Sequence, residues 1–400
     1  MTTGDTRLLI ASADGHVGPV TEDYRPYLDP EYRGRFDDFL AEHVHRWSAS
    51  EPTSVLDPKA WDWWKGNPRY EKTGITSLWD PAVRLDELDQ DGVATEVLFA
   101  DDQNENTAPW LGGGIIQPGL TQRYAPELRL AGARAYNRWL AEFCDPAPER
   151  LIGTIAIPTL EDVEGAVAEV RRAHADGLRH SVMLALEYHQ PLVHHPRYEP
   201  FFEVCCELDL TLSVHLGDGS PHWLGDDRWN FAIAVMETFF LAHRPLWCLV
   251  FGGVLERHPE LRVVFTEQGA DWLPGTLAAM DGLATGSMWR AAQEHPLPLL
   301  PSEYWQRQCF IANSLMRRPD VEQRETIGLD QMVFGSDFGH HEGMWPEIRR
   351  HMTEMFEGCP AADVAKIVGE NFLRAYRVDP DALAPVVLRI GPSASDLGAV

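Results

Sequence analysis

The sequence predicts a (β/α)8 barrel with a large insertion after its first strand. Three observations predict it. Eight short β-type runs recur along 400 residues, longer helical patterns lie between them, and most of the runs are continuously apolar. Continuous apolar runs are expected of strands covered on both faces, and repeated strand–helix alternation builds a parallel sheet that closes on itself.

In order, the runs are LLIASAD (8–14), TEVLFA (95–100), LIGTIAI (151–157), SVMLAL (181–186), LTLSVHL (210–216), LRVVFTE (261–267), QCFIAN (308–313) and MVFGSD (332–337). Between them, residues 120–144 carry apolar side chains at helical spacing. The stretch 159–177 opens on Thr159, is acidic in its first turn, and closes with Arg171, Arg172 and Gly177. That is the cap-and-dipole pattern of a complete helix. Residues 20–78 hold Trp47, Trp61, Trp63, Trp64 and several prolines without a long periodic helix. They read as the insertion, placed either to roof the pocket or to pack on the barrel or a partner subunit. The apolar stretch 231–261 reads as core helix. Residues 1–385 are expected to form one barrel domain, and 386–400 a C-terminal arm or frayed end.

Composition excludes some functions. The formal net charge of −27 opposes nucleic acid and anionic membrane surfaces, so neither is expected as a partner. Six cysteines, at 144, 205, 206, 248, 309 and 359, show no CxxC spacing and read as reduced thiols of a cytoplasmic protein. MTTGDTRLLI lacks the basic and apolar segments of a secretory leader, and the longest apolar passage, 247–255, is too short to span a bilayer.

In such a barrel the chemistry sits at the C-terminal strand ends. The first run ends in Asp14-Gly15-His16, whose outer residues share one side of a strand. Asp101, Asp102 and Gln103 follow the second run, and Glu187, His189, His194 and His195 the fourth. The fifth carries His215, with Asp218 and His222 beyond it; the sixth ends in Glu267, the seventh in Asn313, and the eighth leads into Asp337, His340 and His341. Singly, each has an ordinary structural explanation. Together, aspartate, two histidines and a further carboxylate from separate strands make a divalent-metal site.

These motifs carry a family resemblance. SADGHVGP (12–19), AYNRWLAEFCDPAPERLIGTIAIP (135–158), LTLSVHLGDGS (210–220), LRVVFTEQGADWLP (261–274), PSEYWQRQCFI (301–311), MVFGSDFGHHEGMWP (332–346) and IVGENFLRAYRV (367–378) resemble the amidohydrolase superfamily, in the branch related to aminocarboxymuconate-semialdehyde decarboxylase. The resemblance implies one divalent metal, zinc or manganese, held by Asp14, His16, His215 and Asp337, and a homodimer. Two departures stand out. The first-strand pair is Asp-x-His, where the branch often has His-x-His or Glu-x-His. Glu267 stands where the branch's decarboxylases have a histidine for acid–base work. Either Glu267 moves the proton, or it orients a neighbour and His180, His189 or His222 does so.

Two reactions use such a centre. A metal-activated water, its proton taken by Asp337, attacks a C–N or C–O bond; alternatively a carboxylic acid loses carbon dioxide. No G-x-G-x-x-G or P-loop pattern calls for a nucleotide. Residues 100–110, 186–196, 215–227 and 337–343 contain no Lys or Arg, which suits a neutral or cationic substrate. Loop composition therefore ranks hydrolysis of a small, ring-bearing substrate first, non-oxidative decarboxylation of an aromatic or unsaturated acid second, and an inactive ligand-binding barrel third. Trp110, Tyr188, Trp223, Trp272 and Trp345 offer an apolar wall for a ring, or ordinary packing.

Overall fold

The structure is a computed structural model. It describes residues 7–49, 64, 66–101, 106–111, 124–185, 190–217, 230–287, 297–314 and 316–400. The apolar runs form strands β1 (Ile10–Ser12), β3 (Val93–Ala100), β4 (Leu151–Ile155), β5 (Ser181–Met183), β6 (Thr211–His215), β7 (Arg262–Thr266), β8 (Cys309–Ser314) and β9 (Met332–Gly335). A two-residue strand, β2 (His16–Val17), continues β1 beyond Asp14 and pairs with β3, His16 opposite Phe99. Every pairing is parallel, in the order β1-β3-β4-β5-β6-β7-β8-β9. The barrel closes where Ala13 N donates to Phe334 O (2.9 Å) and Asp337 N to Asp14 O (3.1 Å).

Packing follows the alternation along the strands. Ala11, Ala13, Val97, Phe99, Val264, Phe310, Ala312 and Val333 form one cluster with Phe372 and Tyr376 of the helix Asn371–Tyr376. Thr211 Oγ1 ties that helix down by donating to Ala375 O at 2.6 Å. A larger cluster sits between the strands and the surrounding helices. Its burial is the main source of stability, at about 25 cal/mol per Å² of apolar surface removed from water.

Four expectations change in detail. The second predicted helix spans Val163–Ala175, and its cap is Asp162, whose side chain accepts from Gly165 N at 2.9 Å. Thr159 instead accepts from Glu161 N, two residues on. The stretch 20–78, read as lacking a long helix, contains a 17-residue one, Arg33–Ala49. Among its described side chains most are polar and Phe36 and Phe39 are the buried ones, too sparse a pattern for a periodic signal. The helix Asn230–Phe251 is not wholly core, since Ile233, Met236 and Phe240 are exposed. The tail is not frayed. Leu8 N donates to Pro392 O (2.8 Å), Gly358 N to Gly398 O (2.7 Å) and Val400 N to Cys359 O (2.8 Å), and Leu397 is buried.

The helix Pro81–Asp91 leads into β3 and starts on Asp80, which accepts from Ala82 N and Val83 N. At its other end Asp91 faces Arg69 at 2.8 Å. Burial holds the Asp91 carboxyl up at about 6, although Arg69 pulls the other way. A carboxyl whose folded pKa exceeds its unfolded value stabilises the fold only while protonated, so this contribution is present below about pH 4 and lost as pH rises through 6. Asp91→Asn, which cannot ionise, is expected to gain on wild type by up to about 3 kcal/mol between pH 4 and pH 8. Urea unfolding at the two pH values measures this; an equal difference at both would show that burial of the charge is not felt.

Candidate metal centre

Six side chains from four strand ends meet at the mouth of the barrel: Asp14, His16, His215, Glu267, Asp337 and His340. His16 Nε2 lies 3.3 Å from Asp14 Oδ1 and 3.2 Å from Asp337 Oδ1. His215 Nε2 lies 3.4 Å from Asp14 Oδ1, and His215 Nδ1 is 3.7 Å from Glu267 Oε2. The four residues expected as ligands, Asp14, His16, His215 and Asp337, are thus brought together, with Glu267 beside them.

Local chemistry explains the aim of each group. His16 Nδ1 faces Ala100 O (3.2 Å) and His215 Nδ1 faces Leu216 O (2.6 Å). A carbonyl accepts only from N–H, so both rings carry a proton on Nδ1 and turn Nε2 inward, the nitrogen a cation would take. Ser314 Oγ donates to Asp14 Oδ2, and Ser336 N donates to Ser12 Oγ at 2.9 Å across the seam. Gly15 separates Asp14 from His16 because there is no room for more: a Cβ there would stand 2.3 Å from Glu96 Oε1. Glu267 (φ 62°) and Asp337 (φ 52°) both hold the left-handed backbone, a strained state for a side-chain-bearing residue that clusters at functional sites.

The donor set fits a divalent cation. His16 Nε2 and both Asp337 carboxylate oxygens are buried without a hydrogen-bond partner, a costly arrangement that a coordinated ion resolves. The electrostatics agree. Burial and His340 push the His16 imidazole down, yet Asp14 and Asp337 outweigh both and hold it up at about 10. Burial raises the Asp14 carboxyl, but His16 and His215 bring it far below the usual carboxylate range. Glu267 moves the other way: burial, then Asp337 and Asp14, hold its carboxyl well above the ordinary value. The pocket stabilises positive charge.

Other candidates are elsewhere. His180 precedes β5, at the end of the barrel away from the mouth, and its Nδ1 faces Tyr376 O at 3.0 Å; it is not placed to move a proton at this centre. His195 caps the short turn Pro196–Tyr198 by accepting from Arg197 N. His341 packs against Trp64 of the insertion (4.6 Å between ring centres). Asp101 accepts from Asn106 Nδ2 at 3.0 Å. Trp110 is buried against Phe36 and Phe39, and Trp345 stacks on Phe338 at 5.0 Å, so these two rings are packing rather than a substrate wall. His189, His222, Glu187, Asp102, Gln103, Asp218, Tyr188 and Trp223 lie outside the described residues. Sequence reasoning passed over Glu342, within reach of Glu267, Asp337 and His340. It also passed over Arg84, which is buried below the mouth against Glu96.

Among known proteins, the amidohydrolase family profile matches residues 116–378, about two thirds of the chain. The chain belongs to the amidohydrolase family. This amidohydrolase is 25% identical over 313 residues to 2-amino-3-carboxymuconate-6-semialdehyde decarboxylase of Dictyostelium discoideum, covering 76% of this chain and 79% of that protein. Its fold is similar to that of an amidohydrolase from Mycobacterium avium subsp. paratuberculosis (TM-score 0.67, 19% identity, 93% of this chain and 100% of that one). It is also similar to 5-carboxyvanillate decarboxylase from Novosphingobium aromaticivorans, solved with bound manganese (TM-score 0.66, 16% identity, 92% and 97%). The chain is therefore an amidohydrolase-superfamily enzyme with a divalent-metal centre. Among the described residues no helix is long and apolar enough to cross a membrane.

Proposed function

We propose that this amidohydrolase removes carbon dioxide, without oxidation, from a small aromatic or unsaturated carboxylic acid. This reverses the order that loop composition suggests. The observation that carries the reading is the similarity over 313 residues to a decarboxylase of an unsaturated amino dicarboxylic semialdehyde. Decarboxylases of 5-carboxyvanillate and 2,6-dihydroxybenzoate share the barrel.

Asp14, His16, His215 and Asp337 would hold the cation, either manganese or zinc; bound there, it supplies a Lewis acid that orients an acidic substrate and offsets its charge. Every other part of the work falls to the chain. The carbonyls Ala100 O and Leu216 O keep the two imidazoles in the tautomer that faces inward. Glu267, at a strand end and with its side chain 11% exposed, handles the proton: its carboxyl gives a proton to the ring carbon as the bond to the carboxylate breaks. The electron pair of that bond stays on the carbon, takes the proton, and carbon dioxide leaves. Glu267 regains its proton from solvent on the side where it is exposed.

The second reading, hydrolysis of a C–N or C–O bond, keeps one observation in its favour, the lack of Lys and Arg in the four mouth loops. Manganese-loaded enzyme incubated with a panel of hydroxylated aromatic and unsaturated acids, and in parallel with amides, esters and lactones, separates the two. Release of carbon dioxide from an acid is expected. Turnover confined to the amides, esters or lactones would overturn the proposal.

A further inference from the structure

We propose that His243 and Trp272 are positioning residues: their stacked rings, on the outer side of the barrel wall, hold Glu267 turned into the mouth. The inference rests on Glu267 handling the proton, as proposed above.

The direction of Glu267 runs against the pattern of its strand. Along β7 the side chains alternate: Val264 lies in the cluster inside the barrel, and Phe265 in the cluster between the strands and the helices. Continued for two residues, that alternation sends Thr266 inward and Glu267 out among the helices. Glu267 instead reaches to 3.7 Å from His215 Nδ1, because its backbone is left-handed (φ 62°). Its amide still belongs to the sheet and donates to Ala312 O of β8 at 3.1 Å. A residue with a side chain keeps such a conformation only where its surroundings over-determine it.

Three contacts on the turn after Glu267 do so. First, Gln268 is buried and donates through Nε2 to Val214 O at 2.6 Å, one residue before His215 on β6. Second, Gly269 is itself left-handed (φ 64°), and its carbonyl accepts from Trp272 Nε1 at 3.1 Å, which closes the turn. Third, His243 of the helix Asn230–Phe251 lies flat on Trp272, with 3.8 Å between ring centres and 12° between planes, and bonds to the Gln268 backbone. That bond favours the charged ring, so the ring donates it and the Gln268 carbonyl accepts. Trp272 in turn meets Phe265 edge-on at 6.2 Å.

His243 Nε2 is buried without a hydrogen-bond partner. A leucine at 243 would cover Trp272 without that cost. Burial holds the imidazole down at about 4, against the pull of the Gln268 carbonyl and of Asp271, so the ring is neutral near pH 7. A neutral imidazole offers what leucine lacks, a flat face for the indole and an N–H for the carbonyl on one rigid ring. It pins residues 268 and 272 to one point of the helix, and with them the angle at which Glu267 leaves β7.

The test compares crystal structures and kinetics of manganese-loaded wild type, His243→Leu and Trp272→Phe. Both variants are expected to keep manganese at the wild-type stoichiometry while the Glu267 carboxylate moves away from His215 by about 1 Å or more. With the compound of the panel above that is turned over fastest, kcat is expected to fall by about 100-fold, with KM within about twofold. In a Glu267→Gln background, His243→Leu is expected to cost no further kcat, because it acts through Glu267. An unmoved Glu267 with wild-type kcat in both variants overturns the proposal. So does a loss of kcat that is as large in the Glu267→Gln background, or loss of manganese in both variants, which would make the pair structural only. Glu267→Gln alone separates the two readings. If it turns over like wild type, the proton role of Glu267 falls; if it is impaired while His243→Leu matches wild type, this proposal falls by itself.

Discussion

Asp14→Asn is expected to lose metal and activity together. Asp14 is fully buried, faces His16 and His215 through one oxygen, and accepts from Ser314 through the other. Asparagine keeps the shape but removes the negative charge and turns an N–H2 toward an imidazole or a hydroxyl. The backbone bond from Asp337 N to Asp14 O remains, so the barrel still closes. Metal affinity should fall by more than about 100-fold, beyond the usual range for groups that only orient a ligand. Turnover per active site should fall by about 10³ or more, some 4 kcal/mol of barrier. Ser314→Ala supplies the graded comparison: it removes only the group that orients Asp14, and a loss of about 10- to 100-fold in metal affinity is expected. Elemental analysis and equilibrium dialysis read both. An Asp14→Asn protein that keeps stoichiometric metal and wild-type turnover would remove Asp14 from the ligand set.

Arg84→Met is expected to destabilise the fold by about 3–5 kcal/mol, the usual cost of leaving one member of a buried ion pair alone. Arg84 and Glu96 are both fully buried and 2.8 Å apart. The same guanidinium donates to His16 O (3.3 Å) and Phe338 O (3.0 Å) and lies over the Phe338 ring at 3.6 Å. It therefore clamps the short strand that carries His16 to the loop that follows Asp337. Methionine fills the volume but leaves Glu96, whose carboxyl burial already holds up at about 7 against the pull of Arg84, without its partner, and frees both carbonyls. Adding Glu96→Gln should recover part of the loss, because an uncharged pair carries no desolvated charge. Urea midpoints of the two variants measure both effects; a loss below about 1 kcal/mol for Arg84→Met would show that the pair contributes little.

Most of the barrel was legible because its strands are apolar runs that stop on charged residues. Asp14, His16, His215, Glu267 and Asp337 were legible as a set: each alone has an ordinary structural explanation, but together they stand at the ends of several such runs. Other features carry no such signal. Arg84 and Glu96 lie 12 residues apart on a helix and a strand, and only the fold makes them a pair. Ser314 and Ser336 are ordinary strand residues until the closed seam brings them to Asp14 and Ser12. Glu342 reads as one more acid in an exposed loop, because the tight turn that brings it back is tertiary. It depends on Gly343, where a Cβ would stand 2.1 Å from Asp337 O. The Arg33–Ala49 helix hides behind its polarity. His180 stands before its strand and not after it, which in the sequence already sets it at the end of the barrel away from the mouth.

The join between the first and last strands has a thermodynamic consequence. One of the two backbone bonds that shut the cylinder runs from Asp337 to Asp14, and both contribute side chains to the ion-binding cluster. Occupancy of the cluster and closure of the cylinder are therefore linked equilibria, each stabilising the other in proportion to ion concentration over its dissociation constant. Opening begins where that link is weakest, so amide hydrogens on either side of the join exchange with solvent in step with loss of the ion, ahead of those in the strands opposite.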